Sequence, residues 1–239
     1  MNKVRKSAAA YRADPSRPPP FQHWYRDNQV YFIIARTRRL YPAFASHDAK
    51  SIFWTQYDKY TALHHFDPWV TSLLDNHWHA IGYLHRGTDL APMMKGIQGS
   101  TAKLVNDLLQ SQFAANTLEH LPPTSPKLAT PAGRHVPFWY DSRNQTYFDG
   151  CLRNETQGRL TYRYVLTQCS RHGLCPDPRD YPHTRVNIDL ETAITYATER
   201  RAFLYGVPYR RYGEHSTQHH PIPSTRPIPR LHPPPPPPA

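Results

Sequence analysis

Leu74-Asp75-Asn76-His77-Trp78-His79-Ala80-Ile81 reads as a tight turn entering a strand. Asp75-Asn76 carries turn chemistry. Pro68 opens an extended run over 69–74 before it, and a second run covers 77–84 after it. Together they predict an antiparallel hairpin. Residues two apart in a strand face the same side. His77 and His79 therefore project together, while Trp78 points to the opposite, buried face. Two imidazoles so placed can hold one divalent ion. The chain has 15 histidines, so this spacing also arises without function, and surface or core histidines are the competing reading.

Outward from the hairpin, 29–38 (Gln29-Val30-Tyr31-Phe32-Ile33-Ile34-Ala35-Arg36-Thr37-Arg38) is rich in β-formers and predicts a strand. Over 47–64, Ile52, Phe53, Tyr57, Tyr60 and Leu63 recur at helical spacing. Gly87-Thr88-Asp89 starts a helix over 90–111, with Leu90, Met93, Met94, Ile97, Leu104, Val105 and Leu108 on its inner side. Gly96 and Gly99 within it suggest close packing on the sheet. The stretch 112–137 holds five prolines and predicts a loop. Residues 138–152 suggest a strand or broken hairpin, 155–172 a helix capped by Gly173, 174–188 an irregular segment, and 189–203 a last helix. This order predicts an α+β fold, an antiparallel sheet covered by helices. The expected division is a basic arm over 1–20, one domain over 21–212 and a proline-rich tail over 213–239, with no internal repeat.

The composition narrows the partner. Among 239 residues, 29 Lys and Arg face 18 acids, a formal charge of +11. Such an excess favours a polyanion, nucleic acid or an acidic membrane, over the bland alternative of charge that only aids solubility. Sixteen Tyr, 9 Phe and 5 Trp accompany the arginines. Guanidinium forks grip phosphates and aromatic faces stack on unpaired bases, which points to single-stranded nucleic acid. Three cysteines (Cys151, Cys169, Cys175) argue against a disulfide framework and suit a reducing cytoplasm. No apolar run approaches the ~20 residues a bilayer demands, and no secretion signal is evident.

A second constellation lies in the 155–172 helix. Tyr164 and Gln168 are four apart, hence on one face, and Arg171 lies about a turn further. A tyrosine hydroxyl can attack phosphorus and hold it covalently. A metal would polarise the phosphate, and the Gln168 amide oxygen could be its third ligand. Tyr162 is the poorer nucleophile, because Leu166 four residues on ligates nothing. The competing reading makes Tyr164 a core aromatic. Arg36, Arg38 and Arg39, at the end of the first strand, are candidates for the DNA backbone or simply a solvated strand end. Cys169, His172, Cys175 and His183 loosely resemble a zinc knuckle, but two of them inside a helix fit a closed tetrahedral site poorly.

His77-Trp78-His79 resembles the histidine–hydrophobe–histidine signature of HUH endonucleases. The flanking Leu74–Ile81 segment is similar to the M-P-N-H-V-H-L-L of REP-associated tyrosine transposases. Leu90 through Gly99 resembles that family's next helix. Tyr164-Val165-Leu166-Thr167-Gln168-Cys169-Ser170-Arg171-His172-Gly173-Leu174 aligns without gaps to its Y-I-x-x-N-P-V-x-A-G-L, and Asp180-Tyr181-Pro182 follows in step. The resemblance spans about 28–186. Asp75, Gln168, Cys169 and His172 depart from the pattern, where the family has proline, asparagine, proline and alanine.

The resemblance implies a ferredoxin/RRM-like core with Tyr164 as nucleophile. It implies Mg²⁺ or Mn²⁺ on His77, His79 and Gln168, with Arg36, Arg38, Arg39 and Arg171 on DNA. The substrate would be single-stranded DNA near a hairpin, cut through a 5′-phosphotyrosine by a cytoplasmic bacterial monomer or homodimer. Two alternatives stand beside it: a hairpin DNA- or RNA-binding protein without catalysis, and a replication or transfer nickase of the same superfamily.

Overall fold

The computed structural model describes residues 25–115, 137–140 and 146–203. The elements are β1 (Gln29–Arg36), α1 (His47–Leu63), β2 (Phe66–Leu73), β3 (His77–Leu84), α2 (Leu90–Ala114), β4 (Phe148–Cys151), α3 (Glu155–Leu166), α4 (Gln168–Arg171), β5 (Thr184–Val186) and α5 (Leu190–Glu199). The strands form one sheet in the order β4-β1-β3-β2-β5, and every neighbouring pair is antiparallel. The fold is α+β, as the pattern of elements predicts. The N-terminal arm, residues 116–136 of the expected loop and the proline-rich tail lie outside the described residues. No helix among the described residues is long and apolar enough to cross a membrane.

Strand alternation divides the core in two. Tyr31, Ile33, Ala35, Trp78 and Ala80 face α1 and α2, packing with Phe53, Tyr57, Met94 and Ile97. Val30, Val70, Ile81 and Tyr83 face the other way, onto Tyr162 and Val165 of α3 and Ala193, Ile194 and Ala197 of α5. Trp78 is fully buried, and at about 3–5 kcal/mol for a large buried aromatic it fixes the register of β3. A one-residue slip would turn both histidines into the α1/α2 core and the indole onto the opposite face. Side-chain caps start the helices: Ser46 accepts from the Ala49 amide, Asn154 from Gln157 and Asp189 from Thr192.

Several sequence expectations shift. β1 ends at Arg36, because the Thr37 hydroxyl hydrogen-bonds the carbonyls of Tyr41 and Asn76 and turns the chain into a short 3₁₀ turn, Arg38–Leu40. β2 starts at Phe66 and carries Pro68 within it. The proline sits at a register shift, beyond the 70–72 stretch that β5 pairs, where no ladder donor is lost. The expected helix over 155–172 is two helices. Thr167 (φ −93°, ψ 10°) separates them, and its hydroxyl donates back to the Arg163 carbonyl at 2.9 Å. The stretch 174–188 contains β5. Leu63 and Leu104, expected on inner faces, are exposed. Gly96 meets the Tyr60 ring of α1, so its close packing is helix on helix. Among the described residues, no other element comes within 4 Å of where a Gly99 Cβ would stand.

Candidate functional site

β1 and β3 run side by side with Arg36 opposite His77 and Ile34 opposite His79. The two histidines stand on the sheet face that α3 covers, near the point where α3 ends. The His77 and His79 ring centroids are 5.0 Å apart. Tyr164, in the last turn of α3, brings its ring edge-on to His79 at 5.4 Å and to Phe32 at 5.9 Å. Phe32 in turn stacks on His79 at 6.0 Å. Two segments far apart in sequence thus place their imidazoles and phenol together.

Each imidazole is prepared differently. His77 Nδ1 lies 2.5 Å from Asn76 Oδ1. Because the partner is a carbonyl oxygen, Nδ1 donates, and the lone pair of a neutral ring falls on Nε2. His79 is only 4% exposed, and its buried Nδ1 has no hydrogen-bond partner among the described residues. Burial pushes the His77 pKa down to about 4, aided by His172 and Arg36. Burial pushes His79 down to about 3, aided by His77 and His172. Both rings are therefore neutral at pH 7, the state a metal ligand requires.

The other expected residues fall as follows. Tyr162 is in the core, with its hydroxyl donating to the Ile188 carbonyl at 2.7 Å, so it does not face the histidines. Tyr164 is half-buried and makes its contacts through the ring. Gln168 begins α4 and is 1% exposed. Its Nε2 donates to the Tyr164 carbonyl at 2.8 Å, which leaves Oε1 as the atom able to face a cation. Arg171 is exposed, with its guanidinium carbon 5.2 Å from the Tyr164 ring centre. Arg36, Arg38 and Arg39 line one cleft beside the histidines.

Two participants are not evident in the sequence alone. Asn76 reads there only as a turn residue, although adjacency to His77 across the hairpin entry is a signal for an orienting group. His172 stands exposed with its ring 4.7 Å from His77; its position depends on the short α4 and the left-handed Gly173 (φ +69°) behind it. The zinc-knuckle spacing does not close: His172 faces His77, while His183 Nδ1 accepts from the Trp54 indole at 3.3 Å. Among the described residues, no three His, Cys, Asp or Glu side chains form a metal-holding group. A cation on His77 and His79 would need oxygen from Gln168, water or substrate.

No family model matches the chain. No curated protein matches it either. Among solved structures, one of a REP-associated tyrosine transposase bound to a REP hairpin is similar over 69% of this chain and 80% of its own, at 14% identity and a TM-score of 0.48. A chain from Deinococcus radiodurans R1 described as a transposase is similar over 60% of this chain and 93% of its own, at 13% identity and a TM-score of 0.34.

Proposed function

We propose that this protein is a metal-dependent single-strand DNA endonuclease and strand transferase of the transposase kind, with Tyr164 as its nucleophile. The observation that carries the reading is the meeting of Tyr164 with His79 at 5.4 Å between ring centroids, beside a second imidazole whose free nitrogen is set by Asn76. The orphaned His79 Nδ1 and the two depressed pKa values fit a divalent cation, Mg²⁺ or Mn²⁺, held by His77 and His79 with Gln168 Oε1 as a further donor. When bound, such an ion polarises the scissile phosphate and stabilises the departing oxygen.

The chain's own residues supply the rest. Tyr164 Oη attacks phosphorus, and its proton passes through solvent to the departing 3′-oxygen. The bond from phosphorus to the 3′-oxygen breaks, leaving a 3′-hydroxyl and a 5′-phosphotyrosine. The phosphodiester bond energy is retained, so a second 3′-hydroxyl can reverse the step on another strand. Arg171, beside the Tyr164 ring, is placed to meet phosphate oxygens. Phe32 packs on both Tyr164 and His79.

The substrate reading is a single strand that carries a hairpin, on the sequence resemblance and on the need for one phosphate in a flexible strand to reach Tyr164. The test is incubation of the protein with hairpin-bearing single-stranded DNA and Mn²⁺, followed by denaturing electrophoresis. A protein–DNA adduct that depends on Mn²⁺ is expected. Tight binding with no adduct would assign the chain to hairpin binding without catalysis.

A further inference from the structure

Next to the histidine pair lies a cleft of about 310 Å³ lined by Arg36, Thr37, Arg38, Arg39, Leu40 and Tyr140. It is small, near the lower end of the ~300–1,000 Å³ seen for small-molecule pockets. Its walls are built rather than accidental. The Arg38 amide donates to the Phe138 carbonyl at 2.9 Å, and the Tyr140 amide to the Arg36 carbonyl at 2.8 Å. Thr37 pairs with Trp139, whose indole donates to the Gln98 carbonyl at 2.9 Å. These bonds fix Tyr140 across Arg36, with the guanidinium carbon 3.9 Å from the ring centre.

The chemistry of the lining is uneven. Arg86, Arg159, Arg179 and Arg185 are each paired with a carboxylate. Arg36, Arg38 and Arg39 make no ion pair among the described residues. Three uncompensated guanidiniums at one cleft call for an anion. Tyr140, 37% exposed, and Leu40, 53% exposed, offer a flat apolar wall beside them. Arg39 and Leu40 both hold positive φ, 54° and 56°, a strained pair of the kind found at ligand sites. The cleft is also tied to the reaction centre. The Thr37 amide donates to the Asn76 carbonyl at 2.8 Å, and Asn76 Nδ2 donates to the Leu40 carbonyl at 3.2 Å.

We infer that this cleft receives one unpaired nucleotide of the strand being cut, its phosphate on the arginines and its base on the Tyr140 ring face away from Arg36. The inference rests on the single-strand nuclease reading for the identity of the strand. A free anion would leave the apolar wall without use, and a stacked duplex cannot deliver a lone base to it. Occupation would fix which phosphate reaches Tyr164, because Asn76 joins the cleft to His77.

The experiment measures binding of a labelled eight-nucleotide thymine strand to the full chain in EDTA, where cleavage is suppressed. Single abasic sites are walked along the strand. Tyr140→Ala is expected to weaken binding about 5- to 150-fold, the effect of one lost stack. Tyr140→Phe is expected to match the parent and guards against misfolding. One abasic position should cost as much as Tyr140→Ala, with no added loss when the two are combined. Arg38→Ala with Arg39→Ala should lower the salt slope by about 0.7 for each phosphate that the arginines no longer neutralise. Unchanged affinity in Tyr140→Ala, or an abasic series with no special position, overturns the inference; the second result would make the cleft a phosphate site only. The two readings separate in Mn²⁺. Loss of binding in Tyr140→Ala without any adduct in the parent supports the cleft and defeats the nuclease. Equal adduct at the same phosphate in parent and Tyr140→Ala supports the nuclease and defeats the cleft.

Discussion

Asn76→Ala isolates the group that decides which His77 nitrogen is free. The side-chain carbonyl accepts the Nδ1 proton at 2.5 Å, so the neutral ring keeps its lone pair on Nε2. Without that acceptor, either tautomer forms and the ring is free to turn. Removal of such an orienting partner lowers metal affinity about 10- to 100-fold, or roughly 1.4–2.8 kcal/mol. The backbone should hold its place, because the Asn76 carbonyl still accepts from the Thr37 amide at 2.8 Å and the Thr37 hydroxyl at 3.0 Å. The other loss among the described residues is the exposed 3.2 Å bond from Nδ2 to the Leu40 carbonyl. The assay is calorimetric titration of Mn²⁺ into the metal-stripped full chain at pH 7, with urea unfolding as the fold control. Asn76→Asp, which still offers an acceptor, should bind far more tightly than Asn76→Ala. Parent-like Mn²⁺ affinity in a well-folded Asn76→Ala protein would refute the role given to His77 Nε2.

Tyr162→Phe should cost about 0.5–1.5 kcal/mol of stability for its lost bond to Ile188 yet still form adduct, whereas Tyr164→Phe should keep stability and form none. Urea titration and denaturing electrophoresis check both, and the reverse pattern would exchange the roles of the two tyrosines. His77, His79 and His183 have pKa values pushed down to about 4, 3 and 4, mainly by burial, from an ordinary 6.5. Below pH 6.5 the unfolded chain holds more protons than the folded one, so stability of the metal-free protein should fall as pH drops from 6.5 toward 4. Urea midpoints in EDTA at pH 7 and pH 5 measure this, and His79→Gln should reduce the difference without removing it, because His77 and His183 remain; equal midpoints for the parent would contradict the burial argument. A labelled hairpin with an unpaired flank should bind more tightly than its fully duplex form and weaken steeply with salt, read by competition at two salt concentrations with Tyr164→Phe protein. Equal affinity for both forms would move weight to a generic basic protein.

The hairpin is legible in the sequence because its signals agree. A turn dipeptide and a large aromatic between two histidines leave one register that buries Trp78, although the proline lies within the first arm instead of opening it. The helix starts are legible to within a residue, at His47, Leu90, Glu155 and Leu190; the capping side chains Ser46, Asn154 and Asp189 ahead of three of them emerge only in the structure. The break at Thr167 is not. Helical periodicity continues through it, and only the back-bond from its hydroxyl reveals the interruption. That break matters for the site, because it sets where Gln168 and His172 stand relative to Tyr164. The grouping of His77 and His79 with Tyr164 cannot come from spacing within either segment and is implied only by the family resemblance. Tyr140 is hidden for a different reason. It lies in a stretch that reads only as a strand or broken hairpin, and its place beside Arg36 is fixed by backbone bonds that no side-chain pattern announces.

The most direct test of the central claim is to locate the covalent bond. The protein is incubated with hairpin-bearing single-stranded DNA and Mn²⁺, the DNA is digested to a nucleotide remnant, and the peptides are mapped by tandem mass spectrometry. A 5′-phosphonucleotide is expected on Tyr164, in the peptide that follows Arg163, and none on Tyr162. A remnant on Tyr162, on Tyr140 or on a histidine, or DNA cleaved with no protein attached, would contradict it.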